Sequence, residues 1–270
     1  MTAMFARRAA AIALRQVYLV RGSVSRLLPL FIWVAVDIVL WGFLTRYLNT
    51  VSGAGFNFVP VLLGAVLLWD FFTRVMQGVT MAFLEDVWSR NFLNLFASPL
   101  SITEYLTGLV LSSIATSAVG LAVMLLIATV VFGLSFFALG SLLVPFVLTL
   151  FVFGIAMGIV GCGIVLRLGP SAEWFIWPIP GMLSPFAGVF YPVATLPHWM
   201  QGVSYILPPA YVFEGMRGVV TGAGSPGASL LIGVALSIVY LFGACLFFSR
   251  VYRHAVRTGL IARYSAESVN

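Results

Sequence analysis

The sequence predicts an all-α integral membrane protein. The expected architecture has six transmembrane helices, an N-terminal interfacial helix, a cytoplasmic amphipathic helix between spans two and three, and short re-entrant helices outside before the last span. Three observations carry this. Of 270 residues, 61% are hydrophobic and only 8% are charged, against roughly 25% charged in ordinary soluble domains. The apolar residues gather into runs of about 20, the length a helix needs to cross a bilayer. The basic residues, all 14 of them arginine, fall almost entirely on one side of those runs.

Residues 1–26 carry Arg7, Arg8, Arg15, Arg21 and Arg26, with Phe5, Ile12 and Leu19 recurring every seven residues. This predicts an amphipathic helix on the inner membrane surface, its arginines toward lipid headgroups. Met1 to Leu14 lacks the apolar core and small-residue cleavage site of a signal peptide. Spans one and two occupy 27–83, divided by a Gly/Ser/Asn loop at 49–57. Asp37 lies in the first. Asp70 and Arg74 lie in the second, four apart and so on one helical face. A lone charge in lipid costs at least ~2.5–3.5 kcal/mol, which an opposite neighbour partly offsets. The pair reads either as a structural ion pair or as a pathway-lining one.

Residues 84–103 are too polar for lipid. Leu84, Trp88, Phe92, Leu95 and Phe96 recur at helical spacing, while Glu85, Asp86, Ser89, Arg90, Asn91 and Asn94 fill most of the rest. The pattern predicts a short amphipathic helix with Glu85 and Asp86 in its first turn, where the dipole favours negative charge. Ser98-Pro99 ends it, because a residue before proline is pushed out of α geometry. Both charge signs and several amides favour a docking site for a soluble partner. A lipid binder would be richer in basic residues.

Spans three to five occupy 104–190. Glu104 opens the third. The fourth contains Gly154-x-x-x-Gly158 and Gly161-x-Gly163, small residues that let helices approach closely within one subunit or between two. The fifth, at 174–190, holds Pro178, Pro180 and Pro185, so a regular helix is not expected throughout. Broken backbone at that depth requires protein cover or a cavity. Residues 191–227 are rich in aromatics and prolines, and their apolar runs are too short to span. Glu214 and Arg217, three apart, read as a local ion pair or as an exit-side gate. The sixth span takes 228–250. Residues 251–270 form a polar tail, with Arg250, Arg253, His254, Arg257 and Arg263 following the apolar run.

With both ends inside, eleven arginines lie on the inner side. Arg46 and Arg217 lie outside, and Arg74 is intramembrane. The bias follows the positive-inside rule. Soluble catalytic signatures are missing: the sequence has no GxxxxGK[ST] phosphate loop and no GxSxG elbow. Two histidines, His198 and His254, are far apart, and Cys162 and Cys245 both fall in apolar runs. No metal set, cofactor site or nucleic-acid module is expected. Asp37, Asp70 and Glu214 fall at different expected depths, which counts against an intramembrane acid–base enzyme.

The order of these features resembles the permease subunit of type-2 ATP-binding-cassette exporters, a family that includes drug, lipo-oligosaccharide and O-antigen polysaccharide exporters. Two stretches carry the likeness. One is 84–100, with Glu85, Trp88-Ser89-Arg90-Asn91 and Ser98-Pro99-Leu100. The other is 185–218, PFAGVFYPVATLPHWMQGVSYILPPAYVFEGMRG.

The resemblance implies that the 84–103 segment is a coupling helix docking on a nucleotide-binding subunit, with Glu85, Asp86, Trp88, Arg90 and Phe92 as contacts. It implies two permease copies, as homodimer or heterodimer, and two separate ATPase subunits that hold the ATP and magnesium. Its setting would be the bacterial inner membrane, with membrane lipids around it. Asp70, Arg74, Glu214 and Arg217 are the expected pathway or gate residues. An intramembrane lipid-modifying enzyme is the alternative from a different class, and a passive channel is a weaker third.

Overall fold

The computed structural model describes residues 2–51, 59–89, 91, 94–95, 97–134, 142–222 and 227–260. Among them the regular structure is helical throughout. The long helices are α1 (Thr2–Arg21), α2 (Val24–Val51), α3 (Gly64–Trp88), α4 (Ile102–Phe132) and α5 (Leu143–Leu168). Two short helices follow, α6 (Glu173–Ile176) and α7 (Ile179–Ala187). Then come α8 (His198–Tyr205), α9 (Pro208–Val220) and the long α10 (Gly227–Thr258).

Four helical segments among the described residues are long and apolar enough to cross a membrane: Val61–Trp88, Ile102–Phe132, Leu143–Leu168 and Gly227–Thr258. They coincide with the expected second, third, fourth and sixth spans. The protein is therefore a multi-pass membrane protein. Helix α2 covers the expected first span. Its 28 residues give a rod of about 42 Å at 1.5 Å per residue.

Helix α5 is the centre of the bundle, packed between α3 and α10. The reason is visible in its glycines. A Cβ added at Gly154 would come within 2.9 Å of Val75, and one at Gly158 within 2.9 Å of the Met76 carbonyl. One at Gly161 would meet Thr80 at 2.6 Å. The small-residue stripe thus faces α3 of the same chain, and this resolves the two readings of the motif: it packs the subunit internally. Close approach brings polar groups into reach. Thr80 Oγ1 donates to the Gly158 carbonyl at 3.0 Å, and Ser113 Oγ to the Val75 carbonyl at 3.0 Å. On the other side of α5, Ser237 Oγ donates to the Thr149 carbonyl at 3.2 Å, tying down α10. Phe72, Phe83, Phe146, Phe153 and Phe213 fill the interior.

The prolines of the fifth expected span are better accommodated than the sequence suggests. Helical backbone runs from a 3₁₀ turn at Pro170–Ala172 through α6 and α7. At the junction, Trp177 and Pro178 both keep right-handed helical angles. Pro178 and Pro180 sit at the start of α7, where a missing N–H breaks no helical bond. Only Pro185 is interior.

Helix α10 also runs further than expected. It continues to Thr258, so Arg250, Arg253, His254 and Arg257 lie on a helix and not in a loose tail. Val251 and Ala255 explain the extension, because both are buried against the bundle.

Candidate functional site: the connection between the second and third spans and the Glu214–Arg217 turn

The connection between α3 and α4 departs from the expected local structure in one respect. Helix α3 runs unbroken through Leu84, Glu85 and Asp86 to Trp88, and the chain turns at Ser89. Glu85 and Asp86 are thus in the last turn of a long helix, not the first turn of a new one. Negative charge is unfavourable there, so it requires a cation. Helix α1 supplies it. Arg15 engages Asp86 with both terminal nitrogens, Nη1 to Oδ2 at 2.9 Å and Nη2 to Oδ1 at 2.5 Å. This forked geometry is the strong one for carboxylates. Tyr105 of α4 adds its hydroxyl to Oδ2 at 2.7 Å. Asp86 is 1% exposed. The hydrogen bond to Asp86 holds the Arg15 guanidinium above its ordinary pKa.

A second link lies seven residues away on α1. Arg8 reaches Glu104 at 3.4 Å. Glu104 also closes a capping box: its Oε2 accepts from the Ser101 N–H at 2.8 Å, while Ser101 Oγ accepts from the Glu104 N–H at 3.2 Å. Reciprocal capping of this kind satisfies two otherwise orphaned donors. The helix packs closely here as well, since a Cβ on Gly108 would fall 2.5 Å from Ile12. The outcome corrects the expectation for α1. Its arginines do not all face headgroups. Arg8 and Arg15 turn inward and clamp the end of α3 and the start of α4.

Of the five residues expected to meet a partner, Asp86 is withdrawn into the protein by Arg15 and Tyr105. Glu85 is half-buried in the last turn of α3, and Trp88 is 46% exposed at its end. Arg90 and Phe92 lie outside the described residues. Sequence reasoning missed Arg8, Arg15 and Tyr105. The S-x-x-E spacing at Ser101 and Glu104 was the readable part of this site.

On the other side of the bundle, Glu214 and Arg217 of α9 form the expected pair, 2.9 Å apart. They do more than neutralise each other. Arg217 donates to the carbonyls of Gly188 at 2.6 Å and Val189 at 3.3 Å. Glu214 Oε1 accepts from the Val193 N–H at 2.7 Å. Gly188 ends α7 with φ of 61°, a left-handed conformation suited to glycine. The pair therefore fixes the turn from α7 into the 3₁₀ segment Val193–Thr195.

Within the bundle, Asp70 and Arg74 are joined by Asp37 of α2, close enough for all three charges to interact. The Arg74 side chain runs past Gly120 of α4, whose added Cβ would touch Cδ at 3.4 Å. The expectation that Asp37 lies at another depth is thus corrected: two helices, α2 and α3, bring these three charges together. Among the described residues no group of three His, Cys, Asp or Glu could hold a metal ion.

A helical bundle with several apolar spans, charged clusters at each end and a third charged cluster within it belongs to the class of polytopic membrane proteins. Residues 19–221 match the model of the ABC-2 type transporter family, which is three quarters of the chain. The chain belongs to that family. No curated protein matches it at a significant level.

Proposed function

We propose that the chain is the membrane-spanning permease subunit of an ATP-binding-cassette exporter. It moves an amphipathic substrate (a drug, a lipid or a lipid-linked glycan) out of the cytoplasm. A separate subunit, in two copies, binds ATP and magnesium and hydrolyses the nucleotide. Two permease copies enclose the path. The protein sits in a bacterial inner membrane with six spans and both termini inside. Family membership over three quarters of the chain is the observation that carries this reading.

The α3–α4 connection is the coupling element in this reading. ATP-driven closure of cassette subunits must reach helices that bind no nucleotide, and a rigid-body shift of a clamped helix pair can carry it. Trp88 is the exposed aromatic anchor, with Phe92, Glu85 and Arg90 as further contacts. Asp86 serves by holding α1 to the connector. Glu214 and Arg217 hold the outer turn at the exit, and Asp37, Asp70 and Arg74 line the path.

The test is transport by proteoliposomes holding permease and ATPase, assayed against a panel of glycolipids and drugs. Export that requires hydrolysable ATP supports the reading. Movement of substrate without any dependence on the ATPase subunit contradicts it.

A further inference from the structure

Helix α10 ends in a cationic face that has no counter-ion among the described residues. Arg250, Arg253, His254 and Arg257 are all exposed and together line a cavity of about 250 Å³. Their spacing of three, four and seven places them on one helical face. Among the described residues none of the four makes an ion pair. Asp86 pairs with Arg15 and Glu104 with Arg8, so neither neutralises this face. Ala244, Phe248, Val251 and Ala255 occupy the opposite face of α10 and are buried. The helix is thereby locked with its arginines pointing away from the protein.

The same outward stripe continues into the membrane as apolar surface. Val239, Phe242 and Leu246 are 65%, 66% and 40% exposed, and Leu246, Arg250 and Arg257 follow one another along one line of the helix. From Phe242 to Arg253 the rise is about 16 Å. One molecule lying along this stripe meets hydrocarbon first and then three guanidinium groups at headgroup depth. Forked guanidinium donors match phosphate oxygens.

We propose that this face is a binding site for an anionic phospholipid of the inner leaflet. Its phosphodiester sits among Arg250, Arg253, His254 and Arg257, and an acyl chain runs along Leu246, Phe242 and Val239. An acidic surface of a soluble protein would satisfy the arginines but not the apolar stripe continuous with them. The site lies beyond residues 19–221, the part shared with the family; it rests on the proposed placement of both termini inside and not on the transport reading.

The experiment is native mass spectrometry of the full chain in detergent, titrated with dioleoyl phosphatidylglycerol or dioleoyl phosphatidylcholine. The wild type retains the anionic lipid at least about tenfold better than the zwitterionic one. Each basic residue near a charged surface contributes about 1 kcal/mol, so R250Q/R253Q/R257Q weakens phosphatidylglycerol binding at least tenfold. R7Q/R21Q, which removes exposed arginines of α1, leaves it unchanged. F242A/L246A keeps every charge, and with it the topology signal, and still weakens retention several-fold.

Equal loss in R7Q/R21Q would overturn the proposal, because binding would then follow net charge alone. So would no preference over phosphatidylcholine. Full displacement by millimolar inorganic phosphate, with F242A/L246A unaffected, would mark a free-anion site and overturn it too. Retention of an acidic ATPase subunit that is lost in R250Q/R253Q/R257Q, without any lipid preference, would assign the face to a protein partner instead.

Discussion

Asp86 shows how one residue's environment decides its role. A carboxylate at a helix C-terminus is tolerated because Arg15 and Tyr105 both bond it. Removing one partner of a buried pair leaves the other unsatisfied, at about 3–5 kcal/mol when fully buried. Arg15 is a quarter exposed, so Arg15→Gln is expected to cost about 2 kcal/mol, read as a lowered unfolding midpoint in detergent. Asp86→Asn should be of similar size. The double variant should cost less than the two effects added, because the sites are coupled.

The Glu214–Arg217 pair behaves differently. Arg217 serves two backbone carbonyls and Glu214 a backbone N–H. Exchanging the two charges would aim a carboxylate at the carbonyls of Gly188 and Val189. E214R/R217E should therefore be as damaging to transport as either single change. Rescue by the exchange, measured in a transport assay, would show that only the charge pair matters. Trp88 is the complementary case. Half exposed at the end of α3, it can be cut to alanine with little loss of stability. Buried interface aromatics contribute roughly 2 kcal/mol or more, so Trp88→Ala should weaken ATPase pull-down by an order of magnitude or more.

At the scale of elements, the bundle rests on glycine contacts between α3 and α5. An alanine at Gly158 would press its methyl onto a backbone carbonyl at 2.9 Å, and neither helix can yield locally. Overpacking of this kind costs about 1–3 kcal/mol, and a leucine there should prevent folding, read as loss of the monodisperse peak after solubilisation.

The long apolar helices were legible because composition and length decide them. Their packing partners were not, since a small-residue stripe has the same sequence whether it faces its own chain or another. The connector was half legible. Its polarity stood out, but the break fell at Ser89 and not before Glu85, because Arg15, distant in sequence, stabilises the acidic end of α3. The S-x-x-E spacing at Ser101 and Glu104 could have shown the capping box, whereas nothing in the sequence could show the partnership of Glu104 with Arg8. The end of α10 was misplaced for a similar reason: four charged or polar residues in eight positions, Arg250 to Arg257, look like a tail until Val251 and Ala255 are seen to be buried.

At the scale of the whole molecule, charged clusters sit at both ends of the bundle and a third lies within it. In the proposed cycle the cytoplasmic clamp moves α1, α3 and α4 together, and α5 passes the movement to α10 through its glycine and serine contacts. The outer turn, held by Glu214 and Arg217, is the far end of that chain of contacts. Copurification tests the central claim most directly. The chain is co-expressed with a candidate cassette ATPase subunit, extracted in mild detergent, and weighed by light scattering. The account predicts one complex of two permeases, each of 29.2 kDa, and two ATPase subunits, with Trp88→Ala releasing the ATPase while the permease pair persists. A monodisperse permease that never retains the ATPase, yet still moves substrate, would contradict it.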